Sequence, residues 1–242
     1  MKITSRKTQL TPFLSPYTTA TSTSSTTTQH IIRIQSSLPN RMIKETSPNQ
    51  NPQNFVVAAL KERGITVEVR PSIEMAEGFF FEPTVEETKS YRQDVIDAVR
   101  SQDIETLRKF LTEGRPLKCS NRFGESLLHM ACRRGFLDVV KFFIEEANVP
   151  VRVKDDYGRT PLHDACWTTV PNFELMELLV KECPDLLFLA DVRGYTPLTY
   201  ARRDHWAQWN EFLQANLLDL VPQNLRQGKS TVANDTTSPV ER

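Results

Sequence analysis

Apolar side chains recur along the second half of the chain with a fixed spacing. Leu137, Val140, Phe143 and Ile144 are followed by Phe173, Met176, Leu179 and Val180, then by Trp206, Trp209, Phe212 and Leu213, each set at intervals of three, three and one. This spacing gathers four side chains on one helical face, so it predicts three helices with a buried stripe. Ile104, Leu107, Phe110 and Leu111 show the same intervals upstream and predict another. Before residue 90 the pattern changes. Phe55-Val56-Val57-Ala58-Ala59-Leu60 predicts a short helix, Arg63-Gly64 a turn, and the alternation of Ile65-Thr66-Val67-Glu68-Val69 a strand that needs something to lean on. Gly78-Phe79-Phe80-Phe81 is too apolar to sit in water, and Thr84 with Glu87 fits a helix capping box. The aromatic cluster is expected to seal one end of the helical stack; an exposed docking knob is the other reading.

Between the helices a longer motif repeats. Asn121-Arg122-Phe123-Gly124-Glu125-Ser126-Leu127-Leu128-His129-Met130-Ala131-Cys132 aligns with Asp155-Asp156-Tyr157-Gly158-Arg159-Thr160-Pro161-Leu162-His163-Asp164-Ala165-Cys166, 34 residues on. Asp191-Val192-Arg193-Gly194-Tyr195-Thr196-Pro197-Leu198-Thr199-Tyr200-Ala201 follows, its glycine 36 further along. The glycines suit a turn with positive φ, Thr160 and Thr196 can cap the next helix with a hydroxyl, and Pro161 and Pro197 stand where a missing N–H is harmless.

The repeated unit resembles the ankyrin repeat family, whose unit is a β-turn and two antiparallel helices opened by Thr-Pro-Leu-His. Thr160-Pro161-Leu162-His163-Asp164-Ala165 matches that opening best, whereas Ser126-Leu127-Leu128-His129 lacks the proline. The middle unit carries two extra residues near Val170-Pro171-Asn172, which predicts a bulged loop. The resemblance implies an all-α, ankyrin-type helical solenoid over residues 91–220. Its N-terminal cap is predicted around Ala98, which stands 33 residues before Ala131. Trp206 and Trp209 read as C-terminal cap packing.

Composition sets the rest of the chain apart from this stack. Hydrophobic residues are 39% of 242, below the usual ~45 to 50%, so part of the chain is predicted to lie outside any core. Residues 1–53 are rich in Ser, Thr, Pro, Asn and Gln, with no acidic residue before Glu45. Two readings fit them: a plain disordered tail, or an organelle transit peptide. Residues 54–90 are expected to form an extension packed on the repeats, and residues 221–242 a second disordered tail. Thirty basic and thirty acidic residues balance, so no global field points to nucleic acid or an anionic membrane. No apolar run approaches the ~18 residues of a membrane span, which predicts a soluble, cytoplasmic chain, with the nucleus or an organelle as alternatives.

Candidate chemistry is sparse. His129 and His163 share one slot in successive units, which suits a residue bonding to a neighbouring turn better than a metal ligand or catalytic base. Cys132 and Cys166 also share a slot, and Cys119 and Cys183 form no C-x-x-C pair with either, so buried reduced thiols are predicted and neither cofactor nor metal is implied. His205 reads as a capping or surface residue. No phosphate loop, nucleophile elbow or zinc-protease helix appears.

In ankyrin-like stacks the turn tips and the exposed side of each first helix form the partner groove. The matching positions are Phe123, Glu125, Arg133 and Arg134; Tyr157, Arg159, Trp167 and Thr168; and Arg193, Tyr195, Arg203 and Asp204. Arg, Tyr and Trp are the side chains that most often carry interface energy. The expected function is therefore a non-catalytic adaptor, scaffold or inhibitor holding another protein, with an acidic or extended segment as its partner. An organelle-imported regulatory subunit that docks on an enzyme is the alternative, and nucleic-acid binding is disfavoured.

Overall fold

A computed structural model describes residues 49–221. The expected tails and the transit-peptide reading thus lie almost wholly outside the described residues. The first helix, α1 (Pro52–Glu62), begins inside the stretch expected to be unstructured, because Asn51 Oδ1 accepts the Gln53 N–H at 2.9 Å and Pro52 supplies a ready first turn.

The repeats form an all-α solenoid. Helices α3 (Gln93–Arg100) and α4 (Ile104–Thr112) make the first hairpin, burying Val95, Ala98, Val99 and Leu107. The next pairs α5 (Leu127–Arg134) with α6 (Leu137–Lys141), which continues as a π-helical turn over Phe142–Glu146. The third pairs α7 (Pro161–Cys166) with α8 (Phe173–Glu182), and the last pairs a 3₁₀ turn (Pro197–Tyr200) with α9 (Trp206–Leu220). First helices pack in one row, α3 on α5, α5 on α7 and α7 on the 3₁₀ turn; second helices pack in another, α6 on α8 and α8 on α9. Val140, Phe143, Met176, Leu179, Val180, Trp209 and Leu213 are all but fully buried, as their spacing predicts. None of the helices among the described residues is long and apolar enough to cross a membrane.

The last unit departs from the expected pattern. The Thr196 hydroxyl meets Thr199 Oγ1 at 3.1 Å instead of capping a backbone N–H, because the chain after Pro197 winds into four residues of 3₁₀ and leaves the helix at Ala201. The insertion is tied down on several sides. Thr168 Oγ1 donates to the carbonyl of Val170 at 2.7 Å, Asn172 caps α8, and its amide reaches the Gly135 carbonyl at 3.3 Å.

The segment before the repeats differs most from expectation. α1 buries Phe55, Val56 and Leu60 against α9 and the 3₁₀ turn, so it seals the C-terminal end of the stack. From there the chain runs back toward α3 as a strap. Residues 65–69 are not a strand: Ile65 closes α1 through an N–H to the Leu60 carbonyl, and Val69 is already exposed. Pairing occurs one step later, where β1 (Arg70–Pro71) lies parallel to β2 (Leu189–Ala190). Ser72 then donates to the Gly158 carbonyl at 2.6 Å, and Phe81 N–H to the Arg152 carbonyl at 2.7 Å. The aromatic cluster therefore lies on the flank of the stack: Phe79 and Phe80 meet edge to face at 4.9 Å under Arg152 and Lys154. The Thr84–Glu87 capping box starts α2 (Val85–Lys89), which hands the chain to α3.

Candidate functional site

Three turns stand side by side, each built on one polar residue. Oδ1 of Asn121 accepts the N–H groups of Phe123 and Glu125 at 2.8 and 3.1 Å; Asp155 does the same for Tyr157 and Arg159 at 2.9 and 2.8 Å, and Asp191 for Arg193 and Tyr195 at 2.8 and 2.9 Å. Neighbouring turns are then joined by backbone bonds, from Asp156 N–H to the Phe123 carbonyl at 3.0 Å and from Val192 N–H to the Tyr157 carbonyl at 2.9 Å.

His129 and His163 add a second joint. Nδ1 of His163 accepts from the Thr160 N–H at 3.0 Å, and its Nε2–H donates to the Tyr195 carbonyl at 3.0 Å. His129 repeats the arrangement with the Ser126 N–H at 3.2 Å and the Arg159 carbonyl at 3.0 Å. Both rings are buried with both nitrogens occupied, and burial holds the His163 pKa down to about 4. Cys132 and Cys166 are buried too, and desolvation raises their thiol pKa values, so neither is a ready nucleophile.

Nine of the twelve expected groove positions are aromatic or arginine, and they fall into two groups. Phe123, Tyr157, Trp167 and Tyr195 are 53, 60, 45 and 47% exposed, large aromatic surface left in water on successive units. Trp167 is the residue that follows α7 at its C-terminal end. The arginines are different. Arg133 grips Asp164 through two bonds of 3.1 and 3.0 Å and reaches Glu125 at 2.9 Å, stapling α5 to α7 and to its own turn. Arg159 Nε donates to Asp155 Oδ2 at 2.7 Å, and Arg193 bonds Asp191 at 3.3 Å and the Tyr200 hydroxyl at 2.5 Å. These charges are already matched by carboxylates. Arg134 is exposed at the end of α5, and Arg203 lies over the Trp206 ring at 5.8 Å.

Each tip aromatic carries a cation on its face: Arg122 over Phe123 at 4.6 Å, Arg159 over Tyr157 and Arg193 over Tyr195, both at 5.1 Å. The third turn swaps the order of ring and guanidinium found in the second. Against the burial that would raise it, the Tyr200 hydroxyl, two backbone N–H donors and the Arg193 side chain keep the Asp191 carboxyl below the usual range, and burial beside that carboxylate pushes Tyr200 up to about 12. Asp164 and Tyr200, absent from the sequence-derived set, thus fix the arginines. Asp155 and Asp191, four and two residues ahead of Arg159 and Arg193, were visible beside them in the sequence, whereas Asp164 and Tyr200 left no such local sign.

Comparison with known proteins agrees with this geometry. Residues 95–186 match the family model described as ankyrin repeats, three copies. The SMC5-SMC6 complex localization factor protein 1 of Bos taurus is 34% identical over 79 residues, 33% of this chain and 7% of that protein. The mitochondrial liver isoform of glutaminase from Rattus norvegicus is 36% identical over 86 residues, 36% of this chain and 14% of the enzyme. The BCL-6 corepressor-like protein 1 of Homo sapiens is 37% identical over 73 residues, 29% of this chain and 4% of that protein. The chain spans only a small part of each relative.

Proposed function

Because residues 95–186 are ankyrin repeats, we propose that this chain is a non-catalytic protein-binding module, an adaptor, scaffold or inhibitor, that holds its partner along the turn tips and the ends of the first helices. One observation carries the reading: Phe123, Tyr157, Trp167 and Tyr195 leave broad aromatic surface in water on consecutive units, while the helices behind them bury their apolar faces. Flat, rigid rings of this kind are the usual anchors of protein interfaces. The reading assigns no reaction to the repeats, since the two histidines spend both ring nitrogens on the turns.

The partner is an extended protein segment that lies across the rings. Acidic character matters less than the arginine count suggests, because Arg133, Arg159 and Arg193 are neutralised within the chain, which leaves Arg122, Arg134 and Arg203 as the cations that face outward. The test compares affinity capture by the full chain with capture by Tyr157→Ala/Tyr195→Ala. A partner that binds the row is lost by about tenfold or more with unchanged circular dichroism; equal recovery would reject the row. The pair Arg133→Ala/Arg159→Ala is unsuited to this purpose, as it strands Asp164 and Asp155 and perturbs the fold.

A second reading rests on the relatives' names. Part of a mitochondrial glutaminase resembles this chain, which supports an organelle-imported regulatory subunit that docks on an enzyme. The mass of the mature N-terminus in cells separates the two: an intact Met1 removes the second reading.

A further inference from the structure

We propose that α1 and the strap behind it form a detachable cap in cis, which holds the last turn of the binding row in order and frees it when α1 leaves. α1 occupies the place that another repeat would take, against α9 and the 3₁₀ turn Pro197–Tyr200. That last unit has the shortest first helix of the stack, four residues of 3₁₀ without a hydroxyl cap. An end repeat needs its outer face covered to stay folded, and α1 supplies the cover with Phe55, Val56 and Leu60. The strap then fixes the turn itself: Arg70 and Pro71 pair with Leu189 and Ala190, directly before the Asp191 that builds the Arg193–Tyr195 tip.

Three features make the cap releasable. Gln53 is buried in α1 with both side-chain polar atoms unsatisfied, a cost that an apolar residue of the same shape would remove. The Arg70–Asp185 ion pair at the strap is half-exposed on both sides and adds little. Farther along, the strap spans a cleft of about 270 Å³ between Phe80–Pro83 and Val149–Lys154, so it is not sealed onto the repeats as the helices are. A competing amphipathic helix that takes the Phe55–Leu60 face would loosen the third turn, which the strap pairs with directly, while leaving the first in place.

Hydrogen–deuterium exchange on the full chain tests this without any partner, so its outcome is independent of what the row binds. Val56→Asp/Leu60→Asp puts two carboxylates where no water reaches and undocks α1. Exchange over residues 189–220 is expected to rise by about tenfold or more, with residues 127–146 unchanged. Gln53→Met, close in shape, is expected to slow exchange over residues 189–220. Uniform acceleration along the chain, no acceleration over 189–220, or a Gln53→Met chain that exchanges as fast as the original would each overturn the proposal.

Discussion

A buried histidine links each turn to the next, and at His163 burial disfavours the proton. The unfolded chain binds a proton at His163 near pH 6.5 and the folded chain only near 4, so between these values the unfolded state holds more protons. Stability is therefore complete above pH 6.5 and falls as the pH drops toward 4, by roughly 3 kcal/mol at this site. Urea midpoints at pH 7 and 4.5 measure the loss, and His163→Gln should flatten the dependence while lowering stability at neutral pH. Gly158 is constrained from two directions. Its φ of +72° disfavours any Cβ, and a Cβ would collide with Ser72 Oγ. Gly158→Ala is expected to cost about 1 to 2 kcal/mol by urea denaturation, and Ser72→Ala in the same chain should return only the share due to the collision.

At the scale of elements, the Arg133–Asp164 pair binds α5 to α7. The Asp164 carboxyl is 3% exposed against 32% for Arg133, so truncating the arginine leaves the costlier partner alone. Arg133→Ala should lower the urea midpoint by the equivalent of roughly 2 kcal/mol, discounted for the solvent that reaches Arg133; a shift within error would mean that water replaces the guanidinium freely. The helices themselves were legible in the sequence, because apolar residues at intervals of three, three and one admit few other arrangements. The glycine turns were equally plain. The saturation of the arginines was not, since a list of exposed residue types does not say which charge faces which. The spacing of Asp155 and Arg159, four residues apart and bonded at 2.7 Å, carried that information locally. The 3₁₀ winding after Pro197 had no such sign, as its motif matches the helical unit before it.

For the molecule as a whole, the strap changes how the stack should unfold. An open array of repeats loses its units from the ends, by nearest-neighbour terms. Here the segment that precedes the first hairpin also covers the last, so both ends are coupled. Tryptophan fluorescence in a Trp167→Phe background, reporting Trp206 and Trp209 at the C-terminal end, and far-UV circular dichroism, reporting all helices, should give coincident urea transitions. They should separate in Val56→Asp/Leu60→Asp, fluorescence changing first. This coupling could not be read from the sequence: contacts between α1 and α9 join segments some 150 residues apart and leave no period behind.

The seat that α1 occupies also limits how the array can grow. Repeat proteins lengthen readily when a unit is duplicated at an open end, but a newcomer appended beyond Leu220 would have to evict Phe55, Val56 and Leu60 before it could stack. New units can enter only between existing ones, and each insertion would stretch the span that residues 63–84 must bridge. The number of tips offered to a ligand is thus set by the length of a tether, a ruler laid along the array by its own leading segment.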